Sequence, residues 1–125
     1  MLEKVIEAYL VQKVKELGGI AYKFTSPQRR SVPDRLCLFP YGLMVFVEVK
    51  APKRLPTEAQ AREILRLQVM GFSAITVSSK EQVYDFIEWV KTKIEEEKLC
   101  RQTHEGLKRC QTTVPGVEGS SLPSK

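Results

Sequence analysis

Apolar side chains recur at Leu2, Val5, Ile6, Tyr9, Leu10, Val14 and Leu17, the three-and-four spacing that lays one apolar stripe along a helix. Gly18-Gly19 supplies the stop. IAYKF at 20–24 reads as a short strand, and TSPQRRS after it as a polar, basic surface loop broken by a proline. Asp34 to Phe39 and Leu43 to Lys50 are strands by composition and alternation. APKRLP is a loop, and TEAQ at 57–60 has the form of a capping box opening a helix that ends near Gly71. FSAITVS at 72–78 is a β-rich run, and EQVYDFIEWVKTKIEEEK is a further amphipathic helix. The order is helix, three strands, helix, strand, helix, an α/β pattern. From residue 99 the periodicity dissolves into a segment rich in Ser, Thr, Gly and Pro. We therefore expect one domain over residues 1–98 and a disordered tail over 99–125.

One segment breaks its own pattern. SVPDRLCLFPYGLMVFVEVKAP, Ser31 to Pro52, reads as two apolar strands about a tight turn, yet carries Asp34, Glu48 and Lys50 where a plain hairpin favours Val or Ile. With Pro40-Tyr41-Gly42 as a three-residue loop and Gly42 left-handed, Phe39 faces Leu43 and Asp34 falls opposite Glu48. Side chains so placed have Cβ atoms roughly 5 Å apart, and like charges there repel unless something positive lies between them. Lys50 follows on the same side about 6.6 Å along the strand. Stripping such a cluster of water without compensation costs several kcal/mol per ion. A hard divalent cation resolves the conflict. Two carboxylates, joined by the Val49 backbone carbonyl, suit Mg²⁺, with water and substrate phosphate in the remaining positions. A protonated lysine cannot be a ligand, which leaves Lys50 to orient and acidify an attacking water or to neutralise charge in the transition state. The first helix offers a further acid: Glu7 lies at the edge of the apolar stripe, with Glu3 one turn earlier on the same side. The plainer alternatives are a structural ion pair at a strand end and, for Glu7, an exposed helix glutamate.

Charge distribution sharpens this picture more than composition does. The formal charge of +5 is moderate, but between Lys23 and Arg66 nine basic residues face four acids, and from Asp85 to Glu97 the balance reverses. A basic excess around the charged hairpin is the footprint of a surface that meets a polyanion, the alternative being a solvated charged face. A length of 125 residues suits one core. No apolar run approaches the roughly 18 residues of a membrane span, and the acidic amphipathic start indicates no signal peptide, so we expect a soluble, intracellular, cytoplasmic protein. Cys37, Cys100 and Cys110 form no disulfide framework, and with His104 the last two are too irregularly spaced for zinc. Cys37, alternating with Leu36 and Leu38, reads as a small buried hydrophobe.

At Pro33-Asp34, the turn, and Glu48-Val49-Lys50 the chain resembles the PD-(D/E)XK nuclease superfamily. The finer likeness is to its virus-type replication-repair nuclease (VRR-NUC) family, small phage and bacterial members above all, from about Glu3 to Val77. RRSVPDR at Arg29–Arg35, FVEVKAP at Phe46–Pro52 and Gln60 carry it, although Ser31 stands where many relatives have glycine. The resemblance implies a central mixed sheet flanked by helices and a Mg²⁺-dependent endonuclease, with Mn²⁺ able to substitute and no small-molecule cofactor. It puts metal ligands on Asp34, Glu48, the Val49 carbonyl and Glu7, the catalytic lysine on Lys50, and a catalytic or phosphate-side role on Gln60. It further implies a homodimer acting on branched DNA such as Holliday junctions, in a bacterial or phage-infected host. Arg29, Arg30, Arg35, Lys53 and Arg54 would grip flanking phosphates with little base preference. The rivals are a non-catalytic nucleic-acid-binding module of the same fold and an RNA-cleaving nuclease.

Overall fold

The computed structural model describes residues 2–103. Its elements follow the expected order: α1 (Glu3–Glu16), β1 (Ile20–Lys23), β2 (Arg35–Leu38), a 3₁₀ turn (Pro40–Gly42), β3 (Met44–Val49), α2 (Glu58–Val69), β4 (Ser73–Val77) and α3 (Lys80–Gln102). The strands form one sheet in the order β1-β2-β3-β4. β1, β2 and β3 are antiparallel neighbours, and β4 joins β3 in parallel, as a strand returning through a helix must. The sheet is therefore mixed.

Local chemistry explains the element ends. Gly18, at φ 80°, and Gly19 close α1 with two bonds, Gly18 N–H to the Lys15 carbonyl and Gly19 N–H to that of Val14. This is the left-handed stop that satisfies the last orphan carbonyls of a helix. α2 ends in the same manner at Gly71 and Phe72. It begins with the expected capping box: the Thr57 hydroxyl accepts from Gln60 N–H at 3.1 Å, and the Gln60 side-chain oxygen accepts from Thr57 N–H at 2.9 Å.

The β2–β3 register is the one the three-residue loop dictates, Leu38 facing Met44 and Arg35 facing Val47. The turn itself differs in one respect. Tyr41 as well as Gly42 has positive φ, 67° and 79°, so the non-glycine residue shares the left-handed stretch.

The chain divides into two compact units between Lys91 and Thr92. In the first, Ile6, Leu10 and Val14 of α1, Cys37, and Val45, Val47 and Val49 of β3 are fully buried. Phe46 packs against Phe24 at 5.7 Å and edge-on to Phe72 at 6.0 Å. Burial pushes the Cys37 thiol up to about 12, which fits a packing residue and not a nucleophile. In the second unit α3 runs on to Gln102, past the boundary expected at residue 98, and its turns carry ion pairs such as Lys93–Glu96 and Lys98–Glu95. The rest of the expected tail, with His104 and Cys110, lies outside the described residues. Among the described residues no helix is long and apolar enough to cross a membrane.

Gly19 seats α1 against the sheet. A Cβ there would meet the Leu38 carbonyl oxygen at 2.5 Å and the Phe39 ring at 2.9 Å. Gly19→Ala should therefore cost about 2 kcal/mol of stability through forced separation of α1 from β2. Chemical denaturation measures it, and an unchanged midpoint would show that this approach is not close.

Candidate active site

Asp34 stands where β2 has not yet begun. Its carbonyl accepts from Phe24 N–H at 2.8 Å, fixing its backbone to β1. Its side chain turns the other way, and Oδ2 accepts the Val49 N–H at 3.0 Å. The paired register ends at Arg35 and Val47, so a carboxylate takes over a backbone donor that the ladder would otherwise satisfy. Asp34 is thereby held at the end of β3, beside Glu48.

Glu48 lies inside the sheet, its backbone in register with Thr76 of β4 and its surface only 2% exposed. Burial, and then the charge of Asp34, push its carboxyl up to about 7; Lys50, whose Nζ is 3.5 Å from Glu48 Oε2, works in the opposite direction. Two residues along β3, Lys50 is anchored by its N–H to the Val77 carbonyl at 2.9 Å, and its side chain is mostly buried. The sequence-predicted trio of Asp34, Glu48 and Lys50 is thus assembled at one place. One ammonium does not balance two adjacent carboxylates in a dry site.

The helix acid is arranged differently from the expectation. Glu7 faces inward, but its Oε2 accepts from Arg35 Nε at 2.8 Å and lies 3.5 Å from Lys23 Nζ. Arg35 also donates to the Ala21 carbonyl at 3.0 Å. Glu7 therefore ties α1 to β1 and β2, because an acid this enclosed needs a fixed cation. Glu3 is the α1 acid whose charge adds to the repulsion on Glu48. Among the described residues no group of three Asp, Glu, His or Cys side chains gathers as a metal site, so the expected set of Asp34, Glu48 and Glu7 is not drawn together.

The expected phosphate grips also divide. Arg35 is committed to Glu7, and Arg29 donates through Nε and Nη2 to Glu63 Oε1 at 3.2 and 2.9 Å, holding the 28–31 loop against α2. Arg30, Lys53 and Arg54 are exposed, and none has an ion pair among the described residues. Lys53 and Arg54 stand on a tight turn closed by Arg54 N–H to the Ala51 carbonyl, with Pro52 leading and Lys53 at φ 65°. Gln60 has its side-chain oxygen in the capping box. Two functional candidates were not singled out from sequence: Arg62 and Arg66 share a face of α2 with the 28–31 loop opposite. Their four-residue spacing was the available signal.

The donor set fits a divalent cation. Two adjacent carboxylates, one buried and under-compensated, offer hard oxygens that a cation would relieve of their mutual repulsion. The raised Glu48 carboxyl has a consequence for the metal-free protein. From the usual 4.5 up to about 7 the folded chain holds a proton that the unfolded chain releases, so stability falls as pH rises through that window and stays low above it. In EDTA, Glu48→Gln should therefore be more stable than wild type at pH 8, by on the order of 3 kcal/mol at most, with the gap closing toward pH 5. Urea midpoints at the two pH values decide it, and a variant weaker than wild type at pH 8 would contradict the charge imbalance.

Comparison with known proteins agrees with this fold. No protein-family model matches the chain. It is 51% identical over 79 residues to a protein named "Putative nuclease p44" from Acyrthosiphon pisum secondary endosymbiont phage 1, covering 63% of this chain and 85% of that one. A solved VRR_NUC domain superimposes with a TM-score of 0.67 and 33% identity, covering 69% of this chain and 94% of the other. With this sheet order, the carboxylates at the β2–β3 junction and likeness over nearly the whole length of both relatives, the chain belongs to the VRR-NUC domain family.

Proposed function

We propose that this protein is a divalent-metal-dependent endonuclease that hydrolyses phosphodiester bonds in DNA. The observation that carries the proposal is the meeting of Asp34, Glu48 and Lys50: an enclosed carboxylate at 3.5 Å from an ammonium, with a second carboxylate pinned to Val49 N–H beside it. Family membership and the name of the phage relative support nuclease chemistry.

Asp34, Glu48 and the Val49 carbonyl would hold Mg²⁺, or Mn²⁺ in its place, and Glu3 supplies the helix carboxylate that shares their field. Such a cation, when bound, polarises the scissile phosphate and offsets the charge that builds on it. Lys50 has its ammonium fixed by Glu48 and mostly shielded from solvent. There it orients the attacking water and stabilises the added negative charge as water joins phosphorus and one P–O ester bond breaks. The valine-rich β3 holds this group rigid, so little reorganisation is needed at the moment of reaction. Arg30, Lys53 and Arg54 contact phosphates on either side, which makes binding salt-dependent and nearly indifferent to base sequence. A preference for branched DNA and a homodimeric assembly come with the family resemblance and complete the proposal.

The test is a nicking assay on four-way-junction, flap and linear DNA, with Mg²⁺ or Mn²⁺ against EDTA. Wild type should cut only with metal and best on a branched substrate, and Lys50→Ala should cut about 100-fold more slowly or worse while still binding DNA. Equal cutting by both proteins would end the proposal, as would DNA binding by wild type with no cutting under any metal.

A further inference from the structure

The nuclease reading draws on Arg30 alone from a second feature of the first unit. The 28–31 loop and the outer face of α2 enclose an open groove of about 840 Å³. Its charge is arginine from both walls: Arg29 and Arg30 from the loop, Arg62 and Arg66 from the helix. The one acid that lines it, Glu63, is buried and already neutralised by Arg29 at 2.9 Å. Arg62 reaches only the fully solvated Glu58 at 3.3 Å, a weak surface pair. Arg30 and Arg66 have no ion pair among the described residues. The groove therefore presents a net positive surface that nothing in the described residues balances.

Its floor is not polar. Leu65, Val69 and Met70 line it while 58%, 78% and 57% exposed. Along α2 the sequence Arg62, Leu65, Arg66, Val69 follows the three-and-four spacing of one helix face, so cations and apolar side chains alternate there. A double helix shows only phosphate and sugar to such a wall and gains nothing from the apolar part. An unpaired strand has both kinds of surface, a charged backbone and base faces that seek cover from water.

Resting on the nuclease reading, we propose that this groove holds an unpaired stretch of the DNA substrate, with phosphates on Arg30, Arg62 and Arg66 and bases against Leu65, Val69 and Met70. Its position suits that use. The loop that forms one wall continues through Ser31 and Pro33 into Asp34, and Ala59 of the helix wall neighbours Gln60 at the start of α2. Only Ser31, Val32 and Pro33 separate Arg30 of the groove from Asp34 along the chain. The groove makes the enzyme selective for a junction between paired and unpaired DNA. Arg29 acts here as a positioning residue, since its pair with Glu63 sets the distance between the walls.

The experiment is fluorescence anisotropy in EDTA, where nothing is cut, with one labelled 20-nucleotide sequence offered as single strand, as duplex and as the RNA single strand. Wild type, Arg62→Ala/Arg66→Ala and Val69→Asp are compared; all three positions are exposed, and circular dichroism confirms that each variant is folded. The proposal expects both variants to lose at least tenfold in affinity for the single strand and less than threefold for the duplex. Equal losses on both DNAs would make the groove a general polyanion patch and overturn it, as would no loss on either. Tighter binding of RNA than of DNA by wild type would overturn the assignment to DNA. Because the readout is binding without metal, these results stand apart from the nicking assay: a protein that cuts DNA but whose variants bind single strands normally keeps its nuclease activity and loses this groove.

Discussion

The structure turns on a single hydrogen bond, that from the Val49 backbone to the Asp34 carboxylate. Two antiparallel strands would ordinarily continue their ladder past Arg35 and Val47, and the acids facing each other there would be driven apart. Here the ladder stops, and the aspartate occupies the place of the missing rung. That substitution satisfies a buried donor and also keeps the acid close to Glu48. Glu48 cannot retreat, because its backbone is in register with β4 on the other side. The repulsion between the two acids is thus built into the sheet and is relieved by protonation, by Lys50 or by a cation.

The placement of the other charges follows from the same constraint. The chain has many basic residues, yet two of the nearest arginines are used for scaffolding. Arg35 holds Glu7 and the Ala21 carbonyl, joining α1, β1 and β2 immediately after Asp34. Arg29 holds Glu63, joining the preceding loop to α2. Had either guanidinium turned to Asp34 or Glu48, the charge there would be balanced. With Arg35 bound to Glu7 and Arg29 to buried Glu63, Asp34 and Glu48 keep an excess of negative charge.

How much of this could be read from the sequence depended on the range of each interaction. Elements with a strong period of their own, α1, β3 and α2, appeared within a residue or two of their expected bounds, and the β2–β3 register followed from a three-residue loop, because these are decided by near neighbours. The positive φ of Tyr41 was not legible, since it is a property of the whole turn and not of tyrosine. Nor were the Arg35–Glu7 and Arg29–Glu63 pairs, which join residues 28 and 34 positions apart. The helical wheel places Glu7 at the edge of the apolar stripe and leaves open both its direction and its partner, which is Arg35. Gln60 shows a different limit: one side chain satisfied two patterns at once, and the structure gives its oxygen to the cap.

The α2 arginines illustrate why a surface is harder to read than a core. Helical spacing alone places Arg62 and Arg66 on one face, but an exposed pair of cations on a helix is ordinarily just solvated. The face acquires shape only because the 28–31 loop is drawn over it, and the loop is drawn there by the pair that Arg29 makes with buried Glu63 at the edge of the same groove. The burial of Glu63 thus has an effect beyond stability: it recruits Arg29, and the loop that follows brings Arg30 to the groove and Asp34 to the end of β3. Groove and carboxylates are consequently set by one short stretch of chain, so that whatever fixes the loop fixes the distance between them.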